Sequence, residues 1–206
     1  MIDILAMREV IMVAKRLDDK QLVNAFEGNV SIKRDGYLYI TPSGKNKAFL
    51  TEEMIAVFDE SGKQVSGIYP ASSELKMHVA VYAMRGNIGG VVHAHPPCLT
   101  AYSLCNKPFG SRAYAELLWD HKRIEVAPYG RPGSNEIYAG VKPILDMGRD
   151  VLLLANHGVL AVGPTVFDAM NKLESVENAA RISIYSKLVG EQADLPEEEV
   201  KALLSM

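Results

Sequence analysis

Apolar residues recur along this chain at two spacings, and the places where one spacing gives way to the other outline its elements. Across residues 2–22, Ile4, Met7, Ile11, Ala14 and Leu17 keep the three-and-four interval of an amphipathic helix. Ser31–Arg34 and Tyr37–Ile40, joined at Asp35-Gly36, form a predicted β-hairpin, and Met54–Phe58 and Lys63–Val65 around Asp59–Gly62 resemble another. Ala71-Ser72-Ser73-Glu74 opens a helix expected to run to about Arg85. Ser72 or Ser73 would be its N-cap, and Leu75, Val79 and Tyr82 its inner face. Gly89–His95 is a strand stopped by Pro96-Pro97, and Cys98–Leu104 a short helix. Ile124–Ala127 is another strand candidate. Ser134 or Asn135 then caps a helix carrying Ile137, Val141, Ile144 and Leu145, which Pro143 is expected to kink. Val151–Ala155 is a wholly apolar strand cut off at Asn156-His157-Gly158, and Val159–Val162 continues extended. Pro164 opens a long helix to about Val189 with Val166, Met170, Leu173, Val176 and Ile184 inward, and Leu195–Leu204 is acidic. No repeat or linker divides the chain. The reading is one α/β domain over residues 1–206, with 190–206 as a C-terminal tail and a central, mostly antiparallel sheet flanked by helices.

Composition narrows the function classes. The 206 residues are 48% hydrophobic with a formal net charge of −3, enough for one sizeable core. Such a balance provides no electrostatic footprint for nucleic acid or an anionic membrane, so an anionic ligand would need a local pocket. Cys98 and Cys105 stand seven residues apart and suggest neither a disulfide framework nor a cysteine zinc site. Met1-Ile2-Asp3-Ile4 carries no basic start followed by an apolar run, so a cytoplasmic location is expected.

The candidate chemistry begins at His93 and His95. Positions two apart in a strand point to one face, so both imidazoles project together where the strand ends. Two ligands are too few for a tight metal site. His157 also follows a run of buried strand residues, and Gly158 after it lets the chain turn sharply. Three imidazoles with one open position are the pattern of a catalytic zinc; histidines merely hydrogen-bonded at a strand end are the alternative. Glu74, in the first turn of its helix, is the candidate base. Ser72-Ser73, Gly28-Asn29-Val30-Ser31 and Thr41-Pro42-Ser43-Gly44 are small-polar turns suited to an anion such as phosphate. His78 reads as a surface or supporting group, His121 as solvated, and Lys45 and Lys47 as exposed loop lysines.

In order, Gly-Asn-x-Ser, Thr-Pro-Ser-Gly, Ser-Ser-Glu, His-x-His-Pro, Ala-Pro-Tyr and His-Gly resemble the class II aldolase/adducin family, especially its L-fuculose-1-phosphate aldolases. The resemblance runs from about residue 3 to 190. It implies a three-layer αβα fold and a homotetramer with active sites between subunits. It also implies a lyase of carbohydrate metabolism that cleaves a ketose or deoxyketose 1-phosphate to dihydroxyacetone phosphate and an aldehyde. By the same resemblance His93, His95 and His157 are zinc ligands, manganese or cobalt also suiting such donors. Glu74 becomes the acid/base that also coordinates the metal when no substrate is bound. Gly28, Asn29, Ser43, Gly44, Ser72 and Ser73 would hold the substrate phosphate. Tyr114 is the counterpart of a proton-donating tyrosine lent across a subunit boundary, with Glu116 as the competing residue in a segment that departs from the aldolase pattern. Other members of the family are an L-ribulose-5-phosphate 4-epimerase, with aspartate and lysine where Glu74 and Thr41 stand here, a methylthioribulose-1-phosphate dehydratase, and non-catalytic adducin-like heads.

Overall fold

The computed structural model describes all 206 residues. Helix α1 (Ile4–Asp19) is capped by the Asp3 carboxylate, which accepts from Leu5 N–H at 2.8 Å. Its buried face is Ala6, Met7, Val10, Val13, Ala14 and Leu17, while Ile4 is exposed, so the helix is rotated from the expected stripe. Valines at 10 and 13 supply the apolar width that a count from Ile4 overlooks.

The hairpin forms as expected from β1 (Asn29–Arg34) and β2 (Tyr37–Ile40), with Asp35 and Gly36 both at positive φ. After two 3₁₀ turns come β3 (Ala56–Phe58) and β4 (Gln64–Ser66), then helix α2 (Leu75–Met84) and strand β5 (Gly90–Ala94). Helix α3 (Pro97–Leu104) follows the proline pair directly, and α4 (Ala115–Asp120) precedes a two-residue strand β6 (Val126–Ala127). The helix expected from Ser134 is broken in two: Ser134 caps a 3₁₀ turn at Asn135–Tyr138, and α5 (Val141–Asp146) starts after Gly140. Pro143 therefore sits in the first turn of α5, where a missing N–H costs no hydrogen bond, and it produces no kink. Strands β7 (Val151–Leu154) and β8 (Gly158–Gly163), helix α6 (Val166–Val189) and helix α7 (Glu197–Ser205) complete the chain. Thr165 and Asp168 form a full capping box at the start of α6.

The eight strands are ordered β4-β3-β2-β1-β5-β8-β7-β6, and every pair is antiparallel except β6 with β7. The central strands are buried on both faces, so alternate residues feed different cores. Val92, Ala94, Val159 and Ala161 join α1, α3, α4 and α6 in one cluster; Val91, Leu160 and Val162 join α2 and α5 in the other. This makes an α/β sandwich of three layers.

The inner face of α2 differs from the expected one. Met77, His78, Val81 and Tyr82 face the sheet, whereas Val79 is exposed beside an open cleft of about 700 Å³ that none of the histidines lines. The sheet surface opposite α2 carries Asn29 and Ser31 of β1 and His93 of β5, all buried. A polar seam thus lies inside the layer between α2 and the sheet.

Glu177 of α6 reaches under the first turn of α3, where its two oxygens accept from Cys98 N–H and Leu99 N–H at 2.9 Å each. The carboxylate is buried and satisfies donors that a helix N-terminus leaves unpaired. It thereby anchors the segment that follows His95. Glu177→Ala is expected to lower stability by about 2–4 kcal/mol through two stranded amides, seen as a reduced urea midpoint with an unchanged m-value.

Candidate active site

Sheet register assembles the histidines. Asn29 pairs with His93 across β1 and β5, and Ala94 pairs with Val159 across β5 and β8, which brings the β7–β8 turn alongside the end of β5. Asn156 turns that hairpin at φ +56, whereas Gly158 has ordinary backbone angles. Gly158 is needed for space: a Cβ there would stand 2.3 Å from Cδ2 of His95 and 2.7 Å from the Ala94 carbonyl. The left-handed turn therefore falls at Asn156 and not, as expected, at Gly158. Ser103 of α3 pins the turn, donating to the Leu154 carbonyl at 2.6 Å and accepting from His157 N–H at 3.1 Å.

The three imidazoles meet with their donor nitrogens all within 4.8 Å of one another, and ring centroids lie 4.8–5.0 Å apart. His93 is fully buried, and its Nδ1 stands 2.9 Å from the Val159 carbonyl. A carbonyl only accepts, so the proton sits on Nδ1 and Nε2 presents a lone pair. That Nε2 is 3.1 Å from His95 Nε2 and 3.1 Å from Glu74 Oε2. Glu74 Oε1 lies 3.6 Å from His157 Nε2, is buried, and has no hydrogen-bond partner. The lone pair of His93 and both oxygens of Glu74 therefore converge with the Nε2 atoms of His95 and His157. The donor set of three nitrogens and a carboxylate oxygen suits a divalent cation, since ligands on a tetrahedral ion of zinc size stand roughly 3.4 Å apart.

Glu74 is the N-cap of α2 and so precedes its first turn; Ser72 Oγ accepts from its N–H at 3.3 Å instead of capping the helix itself. Burial pushes the Glu74 carboxyl up; the His93 imidazole, where it is protonated, the Asn29 amide that donates to Oε2, and the His157 and His78 imidazoles, where protonated, pull it down. Burial drives His93 down to about 3 and His157 downward as well, so both are neutral, as ligands must be.

Behind Glu74 runs a buried chain of hydrogen bonds along the polar seam. Asn29 Nδ2 donates to Glu74 Oε2 at 2.9 Å, and Asn29 Oδ1 pairs with His78 Nε2 at 2.5 Å. His78 Nδ1 pairs with Ser31 Oγ at 2.6 Å, and Ser31 Oγ with Tyr82 Oη at 2.9 Å. The directions are determined: Asn29 donates forward, so His78 donates from Nε2 and accepts at Nδ1 from Ser31. His78 is thus fully buried and supports Asn29, with burial pushing its pKa down to about 4. His121, expected to be solvated, is half-buried beside Asp150 and Lys172, well apart from the histidine cluster.

The three small-polar turns do converge. Thr41 N–H donates to the Val30 carbonyl at 3.0 Å, Ser43 N–H to Pro70 at 3.0 Å, and Ser72 N–H to Thr41 at 3.1 Å. These bonds occupy the amides of Ser43 and Ser72, while those of Gly28, Gly44 and Ser73 bond to nothing within the chain. Ser43 and Ser73 are exposed; Asn29 and Ser72 are buried. Lys47 is 1% exposed, its ammonium donating to the Lys45 carbonyl at 3.0 Å, and Lys45 lies over the Tyr69 ring, so neither is the free loop lysine expected.

Tyr114 does not join the cluster within one chain. It caps α4 and lines a different cavity with Ser183 and Gln192, and Glu116 beside it is exposed. The tyrosine on the histidine cavity is Tyr129, which shares a space of about 480 Å³ with Glu27, His95, Asn156 and His157. Tyr129 is the tyrosine of the Ala-Pro-Tyr motif, and Glu27, whose carboxylate lies 3.1 Å from His95 Nδ1, has no sequence signal beyond its place before Gly28-Asn29.

A family profile described as Class II Aldolase and Adducin N-terminal domain matches residues 8–184. The chain is 34% identical over 178 residues to the L-fuculose phosphate aldolase of Methanococcus vannielii, covering 86% of this chain and 94% of that one. It is 28% identical over 198 residues to the 5-deoxy-D-ribulose 1-phosphate aldolase of Bacillus thuringiensis serovar kurstaki, covering 95% and 92%. A solved structure of an L-fuculose 1-phosphate aldolase superposes with a TM-score of 0.88 at 31% identity, covering 100% of this chain and 97% of the other.

The buried neutral His78 makes stability depend on acid. Its folded pKa near 4 lies below the unfolded 6.5, so between those values the unfolded chain binds more protons and stability falls as pH falls. Urea unfolding of metal-free protein at intervals from pH 7 to 4 is expected to show His78→Gln with a slope shallower by up to about 1.4 kcal/mol per pH unit in that window.

Proposed function

The chain belongs to the class II aldolase and adducin family and is an enzyme of that aldolase type, and from this premise we propose that it cleaves a ketose 1-phosphate reversibly, using zinc held by His93, His95, His157 and Glu74. The observation that carries the reading is the convergence of three imidazole nitrogens on a buried carboxylate whose Oε1 is unpartnered. When bound, the cation supplies Lewis-acid stabilisation of negative charge developing beside the substrate carbonyl.

The residues divide the remaining work. Asn29 holds Glu74 Oε2, leaving Oε1 as the oxygen that exchanges a proton with the carbon next to the carbonyl. In the condensation direction Glu74 takes that proton from dihydroxyacetone phosphate, and the carbon then bonds to the aldehyde. In cleavage the carbon–carbon bond breaks and the same oxygen returns the proton. The free amides of Gly28, Gly44 and Ser73 and the hydroxyls of Ser43 and Ser73 supply donors for the phosphate. Asn29 and Ser72 shape that pocket while being largely occupied within the chain. No lysine has to form a Schiff base. Proton donation to the aldehyde oxygen is assigned to Tyr114 supplied across a subunit boundary of a homotetramer, in keeping with its separation from the cluster within one chain.

Relatives named for L-fuculose phosphate, 5-deoxy-D-ribulose 1-phosphate and 5-methylthioribulose 1-phosphate support a substrate whose aldehyde end is uncharged. The wall facing that end includes Tyr129 and Pro132. Their aldehydes differ by small uncharged groups, which an apolar wall discriminates by only about 1–3 kcal/mol, so overlapping activity is expected.

Glu74→Gln is expected to lower cleavage about 10²–10⁴-fold and to abolish solvent exchange of the dihydroxyacetone phosphate C3 proton while zinc stays bound. Exchange would be followed by NMR and zinc by elemental analysis. Retained exchange refutes the role of Glu74, and full activity of chelator-treated protein refutes the metal.

A further inference from the structure

Glu27 is a charged side chain against the histidine cluster to which neither the motifs nor the aldolase chemistry assigns work. Its Oε2 lies 3.1 Å from His95 Nδ1, on the side of the ring away from the other imidazoles. The backbone holds it there. Asn24 Oδ1 accepts from Phe26 N–H at 3.0 Å and Glu27 N–H at 3.1 Å, closing a side-chain turn. His95 N–H donates to the Leu22 carbonyl at 3.1 Å, lacing the segment before Glu27 to the end of β5. Gly28 follows at φ +73, where an added Cβ would stand 2.5 Å from Val23 Cγ1 and 2.9 Å from the His93 carbonyl. Glu27 is therefore set against His95 by contacts on both sides of it.

The outer nitrogens of the three imidazoles are treated differently. That of His93 faces a neutral carbonyl, that of His157 is buried without a partner, and that of His95 alone faces a carboxylate. We propose that Glu27 is a positioning residue for the metal centre. It keeps the His95 proton on Nδ1, turns Nε2 and its lone pair toward His93 and Glu74, and raises the basicity of that nitrogen. A carboxylate behind a ligating imidazole is worth 10–100-fold in metal affinity. On this view Glu27 sets how tightly the cation is held and touches no reacting atom. The inference rests on the metal-site reading above.

The test is a cobalt(II) titration of chelator-stripped protein, read by visible absorption and by competition with a chromophoric chelator. Urea unfolding of each metal-free variant is run alongside. Wild type is expected to bind one cobalt per chain with a tetrahedral-type spectrum. Glu27→Ala is expected to bind about 10–100-fold more weakly, and Glu27→Gln, which keeps an acceptor oxygen but no charge, to fall between. Glu27→Asp is expected to recover part of the Glu27→Ala loss. Glu27→Ala and Glu27→Gln both binding within twofold of wild type overturns the proposal. So does a loss of affinity matched by an equal loss of metal-free stability, in Glu27→Gln as well as Glu27→Ala, because it assigns Glu27 to folding alone. Failure of wild type itself to bind cobalt overturns the metal reading instead, so the two failures are told apart.

Discussion

Ring nitrogens and carboxylate oxygens that face one another at one end of the sheet are the constraint on which this structure turns. Glu74, His93, His95 and His157 bring these atoms together, with Glu74 and His93 buried and the other two at the edge of a cavity. Such an arrangement is unfavourable in itself and becomes favourable when a cation occupies its centre. The sheet must therefore be rigid enough to hold these groups against their mutual repulsion, and the rest of the chain supplies that rigidity.

The means are ordinary ones. Strands β1, β5 and β8 are buried on both faces, so a register slip would strand a full row of apolar side chains. Glu177 anchors α3 directly after the proline pair, and Ser103 of the same helix ties down the turn that carries His157. Gly158 and Gly28 leave room where any side chain would collide with His95 or with the backbone at His93. Each of these contacts lies outside the donor set, yet each determines where a donor points.

Around the donors lie two supports of different character. The chain Tyr82–Ser31–His78–Asn29–Glu74 is wholly buried, directional and neutral apart from its last member, and it selects which oxygen of Glu74 stays free. Glu27 is partly exposed, charged, and acts on His95 from the solvent side of the cavity. The first holds one oxygen of Glu74; the second holds the outer nitrogen of His95. Under the proposed function they divide the control of proton transfer from the control of metal affinity.

The donors themselves were legible in the sequence because their placement is local. His93 and His95 need only strand spacing and the stop at Pro96-Pro97, His157 needs an apolar run ending in a turn, and Glu74 needs two serines before a helix. The order of six short motifs then carried the family and with it the three-layer fold. Tertiary structure alone decided which face of α2 turns inward, because that face carries His78, which hydropathy counts as outward, and leaves out Val79, which it counts as inward. It also decided that His78 is buried, that Asn156 makes the turn while Gly158 makes room, and that Glu27 stands behind His95. These depend on partners 45–51 residues apart along α2 and β1, on the meeting of Glu27 with the distant His95, or on a single side chain's clearance. Local periodicity encodes elements; whether a polar side chain can be buried is settled only by the partner that folding brings to it.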